Sequence, residues 1–172
     1  MKIVKESPLA QKKDGFSCLD IGAGVGKLIN LIRKDFPNAK AHACDYHTDR
    51  FAISDVEIKQ VHLDNGPLPY ADNSFDLITC TEVFEHVENY RAILREMRRI
   101  LKPGGMVVIT TPNVLNAFSR WRNILTGFPN LFGPLPTKAD NLYSTGRHIT
   151  PIPYFYMAHA MLEADLKQID LH

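Results

Sequence analysis

The chain has 172 residues, 45% of them hydrophobic and 23% charged, a length and balance that suit one globular domain with a sizeable core. A formal net charge of +1 with no long basic run singles out neither nucleic acid nor a membrane surface as a partner. No apolar stretch reaches the ~20 residues of a membrane span, and the start, MKIVKESPLAQKKDGF, lacks an apolar signal core, so a cytoplasmic protein is expected.

The first element in chain order is a short apolar strand, GFSCLDI, followed by the glycine run Gly22, Gly24 and Gly26. A missing Cβ lets a ligand approach the backbone, and phosphate is the default guess for such a loop. The spacing rejects both phosphate patterns. A P-loop needs a glycine where Ile21 stands and a hydroxyl where Leu28 stands, and the dinucleotide fingerprint wants its third glycine where Lys27 stands. Asp20 would also repel a pyrophosphate. A ligand that suits Asp20 carries positive charge near the glycines and a ribose farther along the sheet, as S-adenosylmethionine does.

Next, VGKLINLIRKDF repeats apolar residues at helical spacing through Leu28, Leu31, Ile32 and Phe36, and Pro37-Asn38 ends it. AKAHACD reads as a second strand, TDRFAISD as a short helix capped by Thr48, and EIKQVHLD as a third strand. After the turn-rich NGPLPYADN comes a fourth strand, SFDLITCTEV. NYRAILREMRRIL is then an amphipathic helix, with Ile93, Leu94, Met97, Ile100 and Leu101 as its buried stripe. Its Arg91, Arg95, Arg98 and Arg99 are expected to face water, and KPGG to stop it. MVVITTP follows as a fifth strand. The three cysteines, Cys18, Cys44 and Cys80, fall inside strands at wide spacing. They suit neither a disulfide framework nor a zinc knuckle and read as small buried hydrophobes, so no metal ligand set is assigned.

Apolar strands alternating with helices predict an α/β fold: a Rossmann-like three-layer sandwich around a mostly parallel central sheet. Ligands in such sheets bind beyond the carboxyl ends of the strands. At those ends stand Asp20 and the glycines, Asp45, Asp64 with Asn65, and Thr81, Glu82, Glu85 and His86. Asp45 is placed to accept both hydroxyls of a ribose, or else to cap the helix ahead of Thr48. Asp64 suits the exocyclic amine of adenine with Leu63 packing on the ring, or else an Asx turn before Gly66.

The set LDIGAGVG, ACDYH, LDNGPLPYADNSFDLITCTEVFEHV and ILREMRRILKPGGMVVITTPN resembles the class I S-adenosylmethionine-dependent methyltransferases, in particular the broad small-molecule group that ends its fourth strand in an EH pair. The likeness covers roughly residues 16 to 113. It implies that Asp20, Gly22, Ala23, Gly24 and Gly26 surround the methionine part of the cofactor and that Asp45, with Tyr46 beside it, holds the ribose. Leu63 and Asp64 then match the adenine edge, and Thr81 and Glu82 the stretch beside the sulfonium. His86 is the nearest candidate base, with a structural histidine as the plainer alternative. Glu82 and Glu85 could equally sit in the first turn of the helix after the fourth strand, where the dipole favours a carboxylate.

The reading is of a single domain over residues 1–172, with a cofactor-binding core at 16–113 and a substrate lid or insertion at 114–150. That insertion begins as an amphipathic helix with Leu115, Phe118, Trp121 and Leu125 on one side. Trp121, Phe128 and Phe132 with Gly127, Gly133 and Gly146 could serve a lid, or the segment could simply pack over the sheet edge. The stretches TPNVLNAFSRWRNILTG and GRHITP also look like methyltransferases of bacterial surface-polysaccharide synthesis. That likeness implies a sugar or carrier-linked glycan, with Arg120, Arg122, Arg147 and His148 meeting a phosphate on it. The family usually carries one or two helices before its first strand and two more strands after the fifth, whereas here about fifteen residues precede the first strand and only KQIDLH follows PYFYMAHAMLEADL. The sheet is therefore expected to lack its last strand or strands, either because the chain is trimmed or because a partner pairs with the open edge. A catalytically silent module that keeps the cofactor fold is the alternative to an enzyme.

Overall fold

Strands β1 (Ser17–Ile21), β2 (Lys40–Asp45), β3 (Ile58–Gln60), β4 (Phe75–Thr81) and β5 (Leu101–Thr110) form one sheet in the order β3-β2-β1-β4-β5, with every pairing parallel. The computed structural model describes residues 2–12, 14–133 and 148–167. Helices α1 (Lys2–Lys5) and α2 (Lys27–Asp35) belong to one layer, and α3 (Tyr90–Ile100) and α5 (Tyr154–Glu163) to the other; α4 (Ala117–Thr126) follows β5. Alternation along β1 divides the core. Leu19 and Ile21 join Phe84, Leu94, Met97 and Met157 on one face, while Cys18 joins Val4, Leu9, Phe16 and Ile32 on the other. All three cysteines are buried, as small hydrophobes are.

The expected strands and main helices form, with informative differences. On α2 the residues turned to the sheet are Ile29 and Ile32, whereas Leu31 is 51% exposed. The stretch 57–64 keeps only a three-residue strand, because the chain turns at His62–Asn65, where the Asn65 amide donates to the His62 carbonyl. TDRFAISD makes a 3-10 turn over Thr48–Arg50 instead of a helix, and Thr48 does not cap it. Its Phe51 and Ile53 pack inward beside Ala23, Ile29 and Ala43.

Helix α3 ends at Ile100, and Leu101 already belongs to β5. The KPGG run lies within β5 as a bulge, the pairing stepping from Leu101 to Met106 while β4 steps only from Phe75 to Leu77. Arg99 is not a solvated face residue. Its guanidinium donates to the carbonyls of Leu68 and Tyr70 and to Glu96 and Asp72, clamping the NGPLPYADN connection onto α3.

Asp76, at the start of β4, ties the amino-terminal segment to the sheet. Its carboxylate accepts from Lys12, from Lys102 at 2.8 Å and from the Ser17 amide at 2.9 Å. Burial works to raise its pKa, but the two lysines and the amide outweigh that and bring it to about 2. A carboxyl held below its ordinary 3.8 contributes stability above that pH and loses it as pH falls through about 2. Asp76→Asn is expected to cost about 1–2 kcal/mol at pH 7, discounted for its half-exposed lysines. The difference between the two proteins should close towards pH 2. Urea unfolding of both across that range checks it.

Candidate functional site

In the sheet the chain runs outward from β1 to β2 and β3 on one side and to β4 and β5 on the other, so the order reverses between β1 and β4. Ligands of open α/β sheets sit at that crevice, beyond the carboxyl ends of the strands. The glycine turn leaves β1 there, and the Thr81–His86 segment leaves β4 beside it.

All three glycines have positive φ: +74° at Gly22, +53° at Gly24 and +85° at Gly26. They do different work. A Cβ on Gly22 would stand 2.2 Å from Cγ2 of Val83, and one on Gly26 would stand 2.6 Å from Cδ1 of Ile53. These two let the turn pack against its neighbours. A Cβ on Gly24 would meet nothing within 4 Å. Gly24 therefore faces open space, as expected of backbone a ligand approaches.

Asp45, at the end of β2, accepts the Gly24 amide at 2.8 Å on one carboxylate oxygen and the His47 amide at 2.8 Å on the other. The carboxylate thus braces the glycine turn, and it makes no side-chain cap for Thr48. Asp20 lies inside the sheet, 2% exposed, with Oδ1 accepting from the Thr79 hydroxyl at 2.7 Å. Burial, with a smaller contribution from Asp45, pushes its pKa up to about 6 despite the Thr79 bond. Thr79 escaped the sequence reading. A hydroxyl in the apolar run FDLITCT, in register with Asp20 on the adjoining strand, was the available signal.

Asp64 makes contacts within the fold that neither expectation named. Its carboxylate accepts the amides of Glu88 and Asn89, while Asn89 caps α3 by accepting from the Ala92 amide. It makes no local Asx turn with Gly66; it docks the loop ahead of α3. Leu63 is half-buried against the main core. Tyr46 is exposed and sets its ring edge-on to His47 and His62. Glu82 is one of few non-glycine residues with positive φ, at 54°; its amide donates to the Thr110 carbonyl and its carboxylate accepts the Thr110 hydroxyl at 2.8 Å. Such backbone strain concentrates at functional positions.

Phe84–His86 forms a 3-10 turn, so Glu82 and Glu85 are not in the first turn of an α-helix. Glu85 is fully buried, and its carboxyl pKa is raised to about 7, chiefly by burial and further by Glu82. The His86 ring stands 4.8 Å from that of His148. His148 joins from 62 residues away, and burial followed by the neighbouring His86 lowers its pKa, which favours the neutral ring. The segment expected to form a lid is only partly in view. Arg147 and Gly146 lie outside the described residues. On α4 the face with Phe118, Trp121 and Leu125 is exposed, and the buried side chain is Ser119, while Phe132 packs against the His148 ring.

A methyltransferase-domain family model matches residues 2–171. The chain belongs to that family. It is a class I S-adenosylmethionine-dependent methyltransferase domain by fold and by family, and S-adenosylmethionine is its cofactor. Among curated proteins it is similar to the demethylmenaquinone methyltransferases of Staphylococcus aureus strain JH9, 32% identical over 76% of this chain and 58% of the relative, and of Corynebacterium glutamicum strain R, 34% identical over 56% and 42%. The chain thus spans about half the length of these relatives. Its fold is similar to that of a methyltransferase of Archaeoglobus fulgidus, with a TM-score of 0.65, 15% identity and coverage of 88% of this chain and 61% of the other. The residues fit the cofactor. An open backbone cradle at Gly24, a buried carboxyl at Asp20 and the carboxylate of Asp45 suit a ligand that carries an ammonium and ribose hydroxyls.

Proposed function

We propose that this chain transfers the methyl group of S-adenosylmethionine to a small apolar, ring-bearing acceptor. The observation that carries the reading is the open cradle at Gly24 beside Asp45, at the carboxyl ends of β1 and β2. When bound, the cofactor supplies a methyl group activated by its positively charged sulfur. The protein's own contribution is alignment and the exclusion of water, worth up to ~7–11 kcal/mol in well-oriented systems. In this reading Asp20 and the turn through Gly22, Ala23, Gly24 and Gly26 hold the methionine part, and Asp45 with Tyr46 the ribose. Leu63 and Asp64 line the adenine edge. Thr81 and Glu82 lie along the reacting end, where His86 is the candidate to take a proton from the acceptor.

Two observations support an apolar acceptor. The relatives named above act on demethylmenaquinone, as their names state. Phe118, Trp121 and Leu125 are exposed on α4, which leaves the sheet at the carboxyl end of β5, the same edge as the cradle. A sugar phosphate is less well served. Arg122 spends its guanidinium on the carbonyls of Phe128, Pro129 and Phe132, and His148 is turned inward against Glu85.

Calorimetry with S-adenosylhomocysteine tests the site. Asp45→Ala is expected to weaken binding by roughly 1.5–3 kcal/mol, through loss of a charged acceptor and of the brace on Gly24. Unchanged affinity would remove Asp45 from the site. Release of S-adenosylhomocysteine with a hydroquinone, compared with a lipid-linked sugar, then separates the acceptor classes. Binding without turnover on either would favour a silent module.

A further inference from the structure

We propose that Glu85, His86 and His148 form a binding site for a divalent transition-metal ion, with Zn²⁺ as the cation that best suits this donor set. One carboxylate oxygen and one nitrogen from each imidazole lie within 4.8 Å of one another. Glu85 and His86 come from the turn after β4, and His148 from the segment that returns ahead of α5. The return is fixed by backbone. The amides of Ile149 and Thr150 both donate to the Glu85 carbonyl, at 2.7 and 3.0 Å, and the Thr150 hydroxyl donates to the Val87 carbonyl at 2.5 Å.

The second observation is what the buried atoms lack. The Glu85 side chain is 0% exposed; one oxygen accepts a long 3.4 Å bond from the Thr111 hydroxyl, and Oε1 has no hydrogen-bond partner. Nδ1 of His148 is likewise buried without one. Buried polar atoms are nearly always satisfied, so an orphaned oxygen of a fully buried carboxylate inside this cluster calls for a ligand. A plain Glu–His hydrogen bond does not answer. Oε1 of Glu85 and Nε2 of His148 stand 4.0 Å apart, too far to share a proton. Ion–donor bonds of ~2.0–2.2 Å put tetrahedral donors about 3.4 Å apart, so rotation of the side chains closes the gap with no movement of the pinned backbone. Two imidazoles and one carboxylate form a borderline nitrogen–oxygen set that favours zinc over magnesium or calcium, which ask for oxygen. Three protein donors leave a fourth position for water or an acceptor oxygen. The site does not depend on methyl transfer, although an imidazole of His86 committed to a metal does not also take a proton from the acceptor.

The test begins with the full chain stripped by a chelator and titrated with ZnCl₂ against a chromophoric competitor, with thermal melting as a parallel readout. One equivalent should bind and raise the melting temperature, and Co²⁺ in its place should give the visible bands of a tetrahedral site. Glu85→Gln and His148→Gln should each weaken zinc by at least ~10-fold, while His159→Gln, on the exposed face of α5, changes nothing. Failure of the wild-type chain to compete for zinc overturns the proposal, as does unchanged affinity in both site variants or a loss in His159→Gln. Should either site variant fail to fold without metal, X-ray absorption of the wild-type zinc form decides. Two imidazoles with oxygen around the ion support the site, and any other first shell overturns it.

Discussion

Gly24→Val is expected to lower affinity for S-adenosylhomocysteine by more than ~100-fold while leaving a folded protein. The position has φ of +53°, where a β-branched residue is strained by about 1–2 kcal/mol, so some loss of stability accompanies the change. Yet a Cβ there meets nothing within 4 Å, so no packing is broken; the branched side chain occupies the space from which a ligand reaches the turn. Gly22→Val is the contrast. Its Cβ would stand 2.2 Å from Val83 Cγ2, joining the turn after β1 to the segment after β4 in a clash, so there the fold itself should fail first. Calorimetry and thermal melting on both variants separate the cases. Retained affinity in Gly24→Val would mean that the cradle is not where the cofactor binds.

The architecture was legible because each strand and main helix carries its own periodicity. The turn and the carboxylates at the strand ends were legible because loop position follows once the sheet is called parallel. What failed did so where tertiary contacts decide. Leu31 fits a helical stripe as well as Ile29 does, and only the sheet's position relative to α2 selects Ile29. Arg99 looks like its neighbours Arg95 and Arg98, but it alone reaches the carbonyls of the preceding connection. Leu101 continues the stripe of α3 by spacing, yet the demand of β4 for a partner at Phe75 draws it into β5.

The chemistry shows the same division. Asp45 stood out in the sequence because it ends a strand; its bond to the Gly24 amide did not, since nothing local encodes a contact across 21 residues. The contacts of Asp64 stayed hidden for the same reason: its carboxylate reaches Glu88 and Asn89, 24 and 25 residues along the chain. His148 stood near an arginine in the sequence and read as a phosphate contact, whereas the backbone bonds from Ile149 and Thr150 to Glu85 carry it into a buried cluster.

Asp20→Asn should raise stability at neutral pH and weaken cofactor binding, two opposite effects from one buried carboxyl. The folded pKa of Asp20 is about 6 against an ordinary 3.8, so the native state holds the proton more tightly than the unfolded chain does. Wild-type stability therefore falls as pH rises from about 4 to about 6 and stays at the lower value above that. The corresponding penalty for holding this charge in the sheet is at most about 3 kcal/mol at pH 7. Asparagine cannot ionise and keeps an oxygen for the Thr79 hydroxyl, though its amide group needs an acceptor, so the expected gain is about 1–2 kcal/mol. Denaturant unfolding at pH 4.5 and 7.5 checks the sign, because the advantage of the variant should grow between them. A ligand with an ammonium group offsets the penalty by giving the carboxylate a counter-charge, and that compensation is absent in the variant. Affinity for S-adenosylhomocysteine at pH 7.5 should fall by at least ~10-fold, the scale of one charged interaction. A variant that gains stability but binds as tightly as the wild type would show that Asp20 supports the sheet and does not face the cofactor's positive end.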